Sequence, residues 1–209
     1  MTPSRILLPA SLFIPVALAV MPGCSDKTKP TSQAALCAQV GNGTHTQDQC
    51  QLGAQHDWVV VGEVGLCKPT GAPKSTVVQN GDAWAGHGVQ ITACSVIPEA
   101  DGLQVNVSVT MESQGTVTVN GHFPLVAPNT SHAGAAAVTG LTAVFARADT
   151  GQFIGRGDCT ASFPRDEMGT QPGGLWLQLD CPNVANASQN RTCTASAELR
   201  FENCDRGDE

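Results

Sequence analysis

The sequence predicts an all-β protein: an antiparallel two-sheet sandwich of Ig-like or jelly-roll type, disulfide-stapled, with a short N-terminal extension. Three observations carry this expectation. Several segments alternate apolar and polar residues with period two, as in Leu103, Val105, Val107, Val109 and Met111, the pattern of a strand with one buried face. The chain is only 14% charged and rich in Gly, Thr, Ser, Asn and Val, residues that suit pleated, half-buried surfaces and turns, and no long 3.6-period stripe interrupts it. Eight cysteines (Cys37, Cys50, Cys67, Cys94, Cys159, Cys181, Cys193, Cys204) are scattered without C-x-x-C spacing, which argues for four disulfides and against thiolate metal sites.

The ninth cysteine, Cys24, sets the organisation of the N-terminus. Residues 1–23 read as a signal peptide: Arg5 supplies the positive start, and Ile6 to Val20 an apolar run too short for a comfortable membrane span. The run Met21-Pro22-Gly23-Cys24 resembles the lipobox of bacterial lipoproteins through Gly23 and Cys24, while Met21 and Pro22 differ from the usual leucine and small residue. The resemblance implies a lipoprotein precursor with Cys24 acylated and the membrane reached through that anchor. Ser25 after it implies the outer membrane under a sorting rule of some Gram-negative lineages. The alternative is cleavage after Ala17-Leu18-Ala19, which gives a soluble secreted protein with an odd cysteine. Residues 24–32 are polar and form a flexible tether. Residues 33–57 read as a disulfide-bonded N-terminal extension in which Gln33 to Val40 form a short helix stopped at Gly41-Asn42-Gly43. Residues 58–205 make the β-sandwich domain and 206–209 a tail.

Three hairpins are legible. Ser113-Gln114-Gly115 as a three-residue loop pairs Met111 with Val117 and Val109 with Val119. Asp149-Thr150-Gly151 in the same role sets Phe145 against Gly155. The runs Leu175 to Cys181 and Cys193 to Phe201 are both apolar at odd positions, and aligning them predicts a Cys181–Cys193 disulfide. Cys204 should then reach Cys94 or Cys159.

The net charge of −7 becomes −8 once Arg5 leaves with the signal peptide. An acidic chain with no basic cluster argues against nucleic-acid partners. The most loaded loop, Asn80 to Gly88, carries Asp82, Trp84 and His87 on a glycine-rich turn. Trp176 alternates with Leu175 and Leu177 and should face solvent, above Glu198 of the paired strand. These four residues are the candidate ligand contacts, because an exposed indole beside polar groups suits a glycan or a protein. Each has a structural alternative: Trp84 as a plug on the core, Trp176 covered by the N-terminal extension. The histidines show no zinc spacing, no G-x-S-x-G elbow is present, and Asp166-Glu167 beside Arg165 reads as a solvated loop tip, so no catalytic residue, metal site or cofactor is expected. Arg-Gly-Asp at 156–158 and 206–208, and five N-x-S/T triplets, are read as chance. The resulting expectation is a non-catalytic cell-envelope lipoprotein serving as a surface binding or structural module for a glycan or envelope protein. The alternative is a secreted or envelope hydrolase using Asp82 and His87.

Overall fold

The structure is a computed structural model that describes residues 29–42, 50, 52, 56–67, 75–132 and 136–207. The expected signal peptide over residues 1–23 and the expected anchor at Cys24 lie outside the described residues. The strands are β1 (Gln33–Gly41), β2 (His56–Val61), β3 (Val78–Gln79), β4 (Ala83–Trp84), β5 (His87–Glu99), β6 (Gly102–Met111), β7 (Gly115–Phe123), β8 (Val138–Arg147), β9 (Gly151–Ser162), β10 (Gly169–Gln171), β11 (Gly174–Asn186) and β12 (Arg191–Glu202), with a 3-10 turn at Gly65–Cys67.

The protein is all-β and antiparallel, but not two packed sheets. One ladder runs β2-β1-β12-β11-β9-β8-β7-β6-β5-β4, with β3 beside β1 and β10 beside β11, and it curls into a nearly closed barrel. A twisted sheet of this many long strands curls rather than staying open, and closure removes its unpaired edges. The free edge of β5 is met by the segment after β12: Asp205 donates its N–H to the Cys94 carbonyl and accepts from Val96 N–H, and a Cys94–Cys204 disulfide lies beside these bonds. At the other end of β5, the chain after β3 bridges the gap, with Asn80 N–H on the Ser32 carbonyl and Gly81 N–H on the Val89 carbonyl.

The alternating residues point as their parity predicts. Leu103, Val105, Val107, Val109, Phe145, Phe153, Leu177, Leu179, Leu199 and Phe201 are buried in one core cluster. On the opposite face of the β6–β7 pair, hydroxyls meet across the strands, Ser108 with Thr118 at 2.8 Å and Thr110 with Thr116 at 2.9 Å. An apolar lumen with a polar exterior is the reverse of a membrane-spanning barrel, whose lipid-facing side is apolar. No helix among the described residues is long and apolar enough to cross a membrane.

The segment Gln33–Val40 is a strand, not the expected helix, and it sits inside the barrel wall between β12 and β2. Both of its faces are covered, which hides the period-two signal. Ala34, Leu36, Ala38 and Val40 join the lumen core, whereas Ala35 and Cys37 form a second cluster with Val64 on the outside.

The first two hairpins close two residues tighter than expected. Met111 faces Gly115 and Val109 faces Val117; Phe145 faces Phe153 and Ala143 faces Gly155. Parity is preserved, so each side chain keeps its face. The left-handed residue of the first turn is Ser113 (φ 60°) rather than Gly115. Gly115 is glycine for another reason: a Cβ there would stand 2.3 Å from the Ala146 carbonyl oxygen and 3.0 Å from Val59 Cγ2, so strands β2 and β8 approach too closely for a side chain.

The expected Cys181–Cys193 bond is replaced by Cys159–Cys181 and Cys50–Cys193, alongside Cys37–Cys67 and Cys94–Cys204. Cys181 lies opposite Ala195, and a register shift before Val184 brings Val184 opposite Cys193. Pro182, which has no N–H to give the ladder, lies in that shift. Cys181 instead crosses to β9, where Gly155 leaves room: its Cβ would be 2.5 Å from Cys159 Sγ.

Candidate ligand-binding site

The most developed polar constellation lies on the outer face of β11 and β12. Glu198 points outward from β12 yet is fully buried. Its carboxylate accepts the Leu66 N–H at 2.9 Å, the Trp176 indole N–H at 2.9 Å, and the guanidinium of Arg165. Leu66 arrives on the 3-10 turn that Cys67 ties to Cys37 on β1. Arg165 arrives from the loop between β9 and β10. Gly65 permits this meeting, since a Cβ there would lie 2.5 Å from Arg165 Nη1 and 3.2 Å from Glu198 Oε2.

Trp176 lies directly across from Arg200 in the β11–β12 register and diagonally from Glu198. The guanidinium carbons of Arg165 and Arg200 stand 5.1 Å and 4.7 Å from the centre of its ring, within cation–π range. Each arginine is held by a carboxylate besides: Arg165 Nε is 3.0 Å from Glu167, its second after Glu198, and Arg200 Nε donates to Glu202 at 2.7 Å. The indole is therefore fixed by one buried acceptor and two cations. Beside it opens a cleft of about 250 Å³ lined by Pro128, Asn129, Glu167, Gln171, Trp176, Arg200 and Glu202, among others. Gly169, in its lining, lets β10 run close to the neighbouring segment, since a Cβ there would sit 2.3 Å from the Val126 carbonyl oxygen. Amide and paired carboxylate groups around a fixed aromatic edge can exchange hydrogen bonds with hydroxyl or amide groups of a ligand.

The other three candidate residues lie elsewhere. Ala85 (φ 50°) and Gly86 (φ 84°) form a two-residue turn between β4 and β5, the mirror-image geometry hairpins favour. Trp84 is half-buried against the core. His87 Nε2 lies 3.3 Å from the Gln114 side-chain nitrogen, and Asp82 is exposed, its carbonyl accepting Val89 N–H. Asp82 and His87 thus face different neighbours. The turn before β11 meets β5 through Gly173 N–H on the Val96 carbonyl, seven residues along the strand from Val89, or roughly 23 Å. Trp176 and the Trp84 turn therefore occupy separate surfaces.

No protein-family model, curated protein or solved structure matches this chain.

Apart from the nearness of Glu198 to Trp176, the site was hidden in the sequence. Arg165 and Glu167 read as a solvated tip because adjacent charges usually are, but the loop folds Arg165 back onto a carboxylate 33 residues away. Glu198 stands alone between Ala197 and Leu199 at an outward position, and nothing local shows that a turn from the N-terminal half covers it. The first Arg-Gly-Asp triplet, expected to lie flat in a strand, sits instead at a bulge of β9 where Arg156, Gly157 (φ 74°) and Asp158 are all exposed.

Proposed function

We propose that this chain is an exported cell-envelope lipoprotein, anchored through Cys24, whose barrel is a non-catalytic binding module with its ligand site in the cleft beside Trp176. The ligand class is a glycan, with an envelope protein as the second class. The cleft carries this reading: it sets an immobilised indole edge among the amides of Asn129 and Gln171 and the carboxylates of Glu167 and Glu202, the mixture of flat apolar and hydrogen-bonding groups that sugar rings require. Two further observations support it. Both arginines at the cleft are engaged by carboxylates, a geometry for holding a ligand rather than for proton transfer. His87 is turned to Gln114, which leaves the hydrolytic pairing with Asp82 unassembled. Four disulfides accord with folding outside the cytoplasm.

Two expected results test the reading. The mature protein taken from membranes should have a non-reduced intact mass that places acyl groups on Cys24, and no thiol should be alkylated; a soluble protein beginning at Val20 with one free cysteine would remove the anchor. In a glycan-binding assay against purified envelope polysaccharides, the double variant N129A/Q171A should bind about 10- to 100-fold more weakly, the effect of losing two hydrogen bonds at about 0.5–1.5 kcal/mol each. Asn129 and Gln171 are both exposed, and Asn129 holds φ 62°, where alanine costs about 1 kcal/mol, so the unfolding midpoint should fall by no more than that cost. Binding that survives this change and W176A alike places the ligand elsewhere.

A further inference from the structure

A second surface, independent of the cleft, gathers metal-ligating side chains. Glu99 ends β5, Asp101 sits in the following turn, and His122 is the penultimate residue of β7. In the ladder Glu99 faces Gly102, and Gln104, two residues on, faces His122. That register brings three residues from three chain positions to one end of the barrel. His122 Nε2 lies 3.1 Å from Asp101 Oδ1 and 3.7 Å from Glu99 Oε2, and the three donor atoms all fall within 4.8 Å of one another.

We propose that Glu99, Asp101 and His122 form a binding site for a divalent first-row transition ion, with zinc as the reference ion. The spacing is the first argument. Zinc holds imidazole nitrogen and carboxylate oxygen at about 2.0–2.2 Å in tetrahedral geometry, which separates neighbouring donors by about 3.4 Å, and the two observed separations bracket that value. The donor set is the second. One imidazole and two carboxylates supply three protein ligands and leave a fourth position to water, and the imidazole favours zinc and its neighbours over magnesium or calcium. The third argument is Gly102. A Cβ there would stand 2.7 Å from His122 Cε1 and 2.9 Å from Nε2. A Cβ would also stand 2.3 Å from the Phe123 carbonyl oxygen, so the missing side chain lets the β7 backbone approach as well as letting the ring lie across β6 and aim Nε2 between the carboxylates. All three side chains are exposed, so the fourth position is open to solvent.

Sequence spacing gave no sign of this site, because its ligands are brought together by strand register and not by a local motif. An imidazole nitrogen facing two carboxylates either carries a hydrogen and donates it to them or offers its lone pair to a cation that they share. The experiment separates these. The mature, disulfide-intact protein is titrated with zinc chloride by calorimetry, and with cobalt(II) to read its visible band. The expected result is one equivalent bound, with H122Q binding at least about tenfold more weakly, a loss already reached when a mere outer-shell partner is removed. The cobalt band should be lost in H122Q, while its metal-free urea midpoint stays that of the parent. E99Q/D101N should behave likewise. Failure to bind one equivalent at about 100-fold the micromolar range of a useful site, or equal affinity in H122Q, overturns the proposal and leaves an ion pair. G102A should weaken binding through ring displacement; should it not fold, H122Q still decides.

Discussion

Replacing Glu198 with alanine should lower stability by about 3 kcal/mol. The carboxylate is fully buried and gathers three donors: Leu66 N–H, the Trp176 indole and Arg165. Its removal leaves a guanidinium and two N–H groups in a place water reaches poorly. Breaking a buried ion pair by deleting one partner costs about 3–5 kcal/mol. The lower end applies because Arg165 keeps Glu167 and its side chain is 24% exposed. For a domain of this size the loss corresponds to a fall in Tm of roughly 6–12 °C. Glu198→Gln keeps an oxygen acceptor but loses the charge, so its drop should be about half as large. Thermal and urea unfolding under oxidising conditions measure both. A change below about 1 kcal/mol for E198A would mean that water fills the site and that the carboxylate does not organise the outer face. The variant should also release Trp176 and Arg165 from each other, so ligand binding at the cleft should fall together with stability.

The double variant C94A/C204A should cost still more, about 4.8 kcal/mol by loop-closure entropy. The bond closes a segment of 110 residues, and restraint of the unfolded chain grows with loop length. By the same relation the Cys159–Cys181 bond, with a separation of 22 residues, should contribute about 3.4 kcal/mol. The order of the two is therefore a sharper test than either magnitude. The seam also gives a local signature. Cys204 sits beside the two backbone bonds that tie Asp205 to Cys94 and Val96, so amide exchange at Val96 and Asp205 should accelerate more in C94A/C204A than in C159A/C181A. Equal losses, or a seam that stays protected without its disulfide, would show that the backbone bonds alone close the barrel.

These two results bear on how much of the protein its sequence discloses. The β class, the strand faces, the existence of all three hairpins, and a reach from Cys204 to Cys94 or Cys159, of which Cys94 is the partner found, were readable. Each rests on parity or spacing, which survive an error in register. Met111 was expected opposite Val117 and lies opposite Gly115, yet it still points inward. The Cys181–Cys193 pairing failed because it needed the register itself: Leu175 to Cys181 pair with Phe201 to Ala195, two residues away from the expected alignment. Trp176 was recognised as outward-facing and above Glu198, and its indole does bond that carboxylate, but Arg165 and Glu167 were not joined to it, since they come from a loop that only folding brings there.

The sequence alone determined what local physics controls: which of the alternating segments are extended, which side of each such strand is apolar, and that the cysteines from Cys37 onward are spaced for disulfides rather than metal. Tertiary structure decided the rest. It made one curled ladder where two sheets were expected, and it took Gln33–Val40 into the wall as a strand because both of its faces found cover. It also buried Glu198 under a turn that Cys37–Cys67 holds in place, and set His122 between two carboxylates. Period-two alternation reports only which face of a strand is apolar; closure, register and the meeting of charges depend on which strands become neighbours, and that is settled by the pairing of residues far apart in the chain.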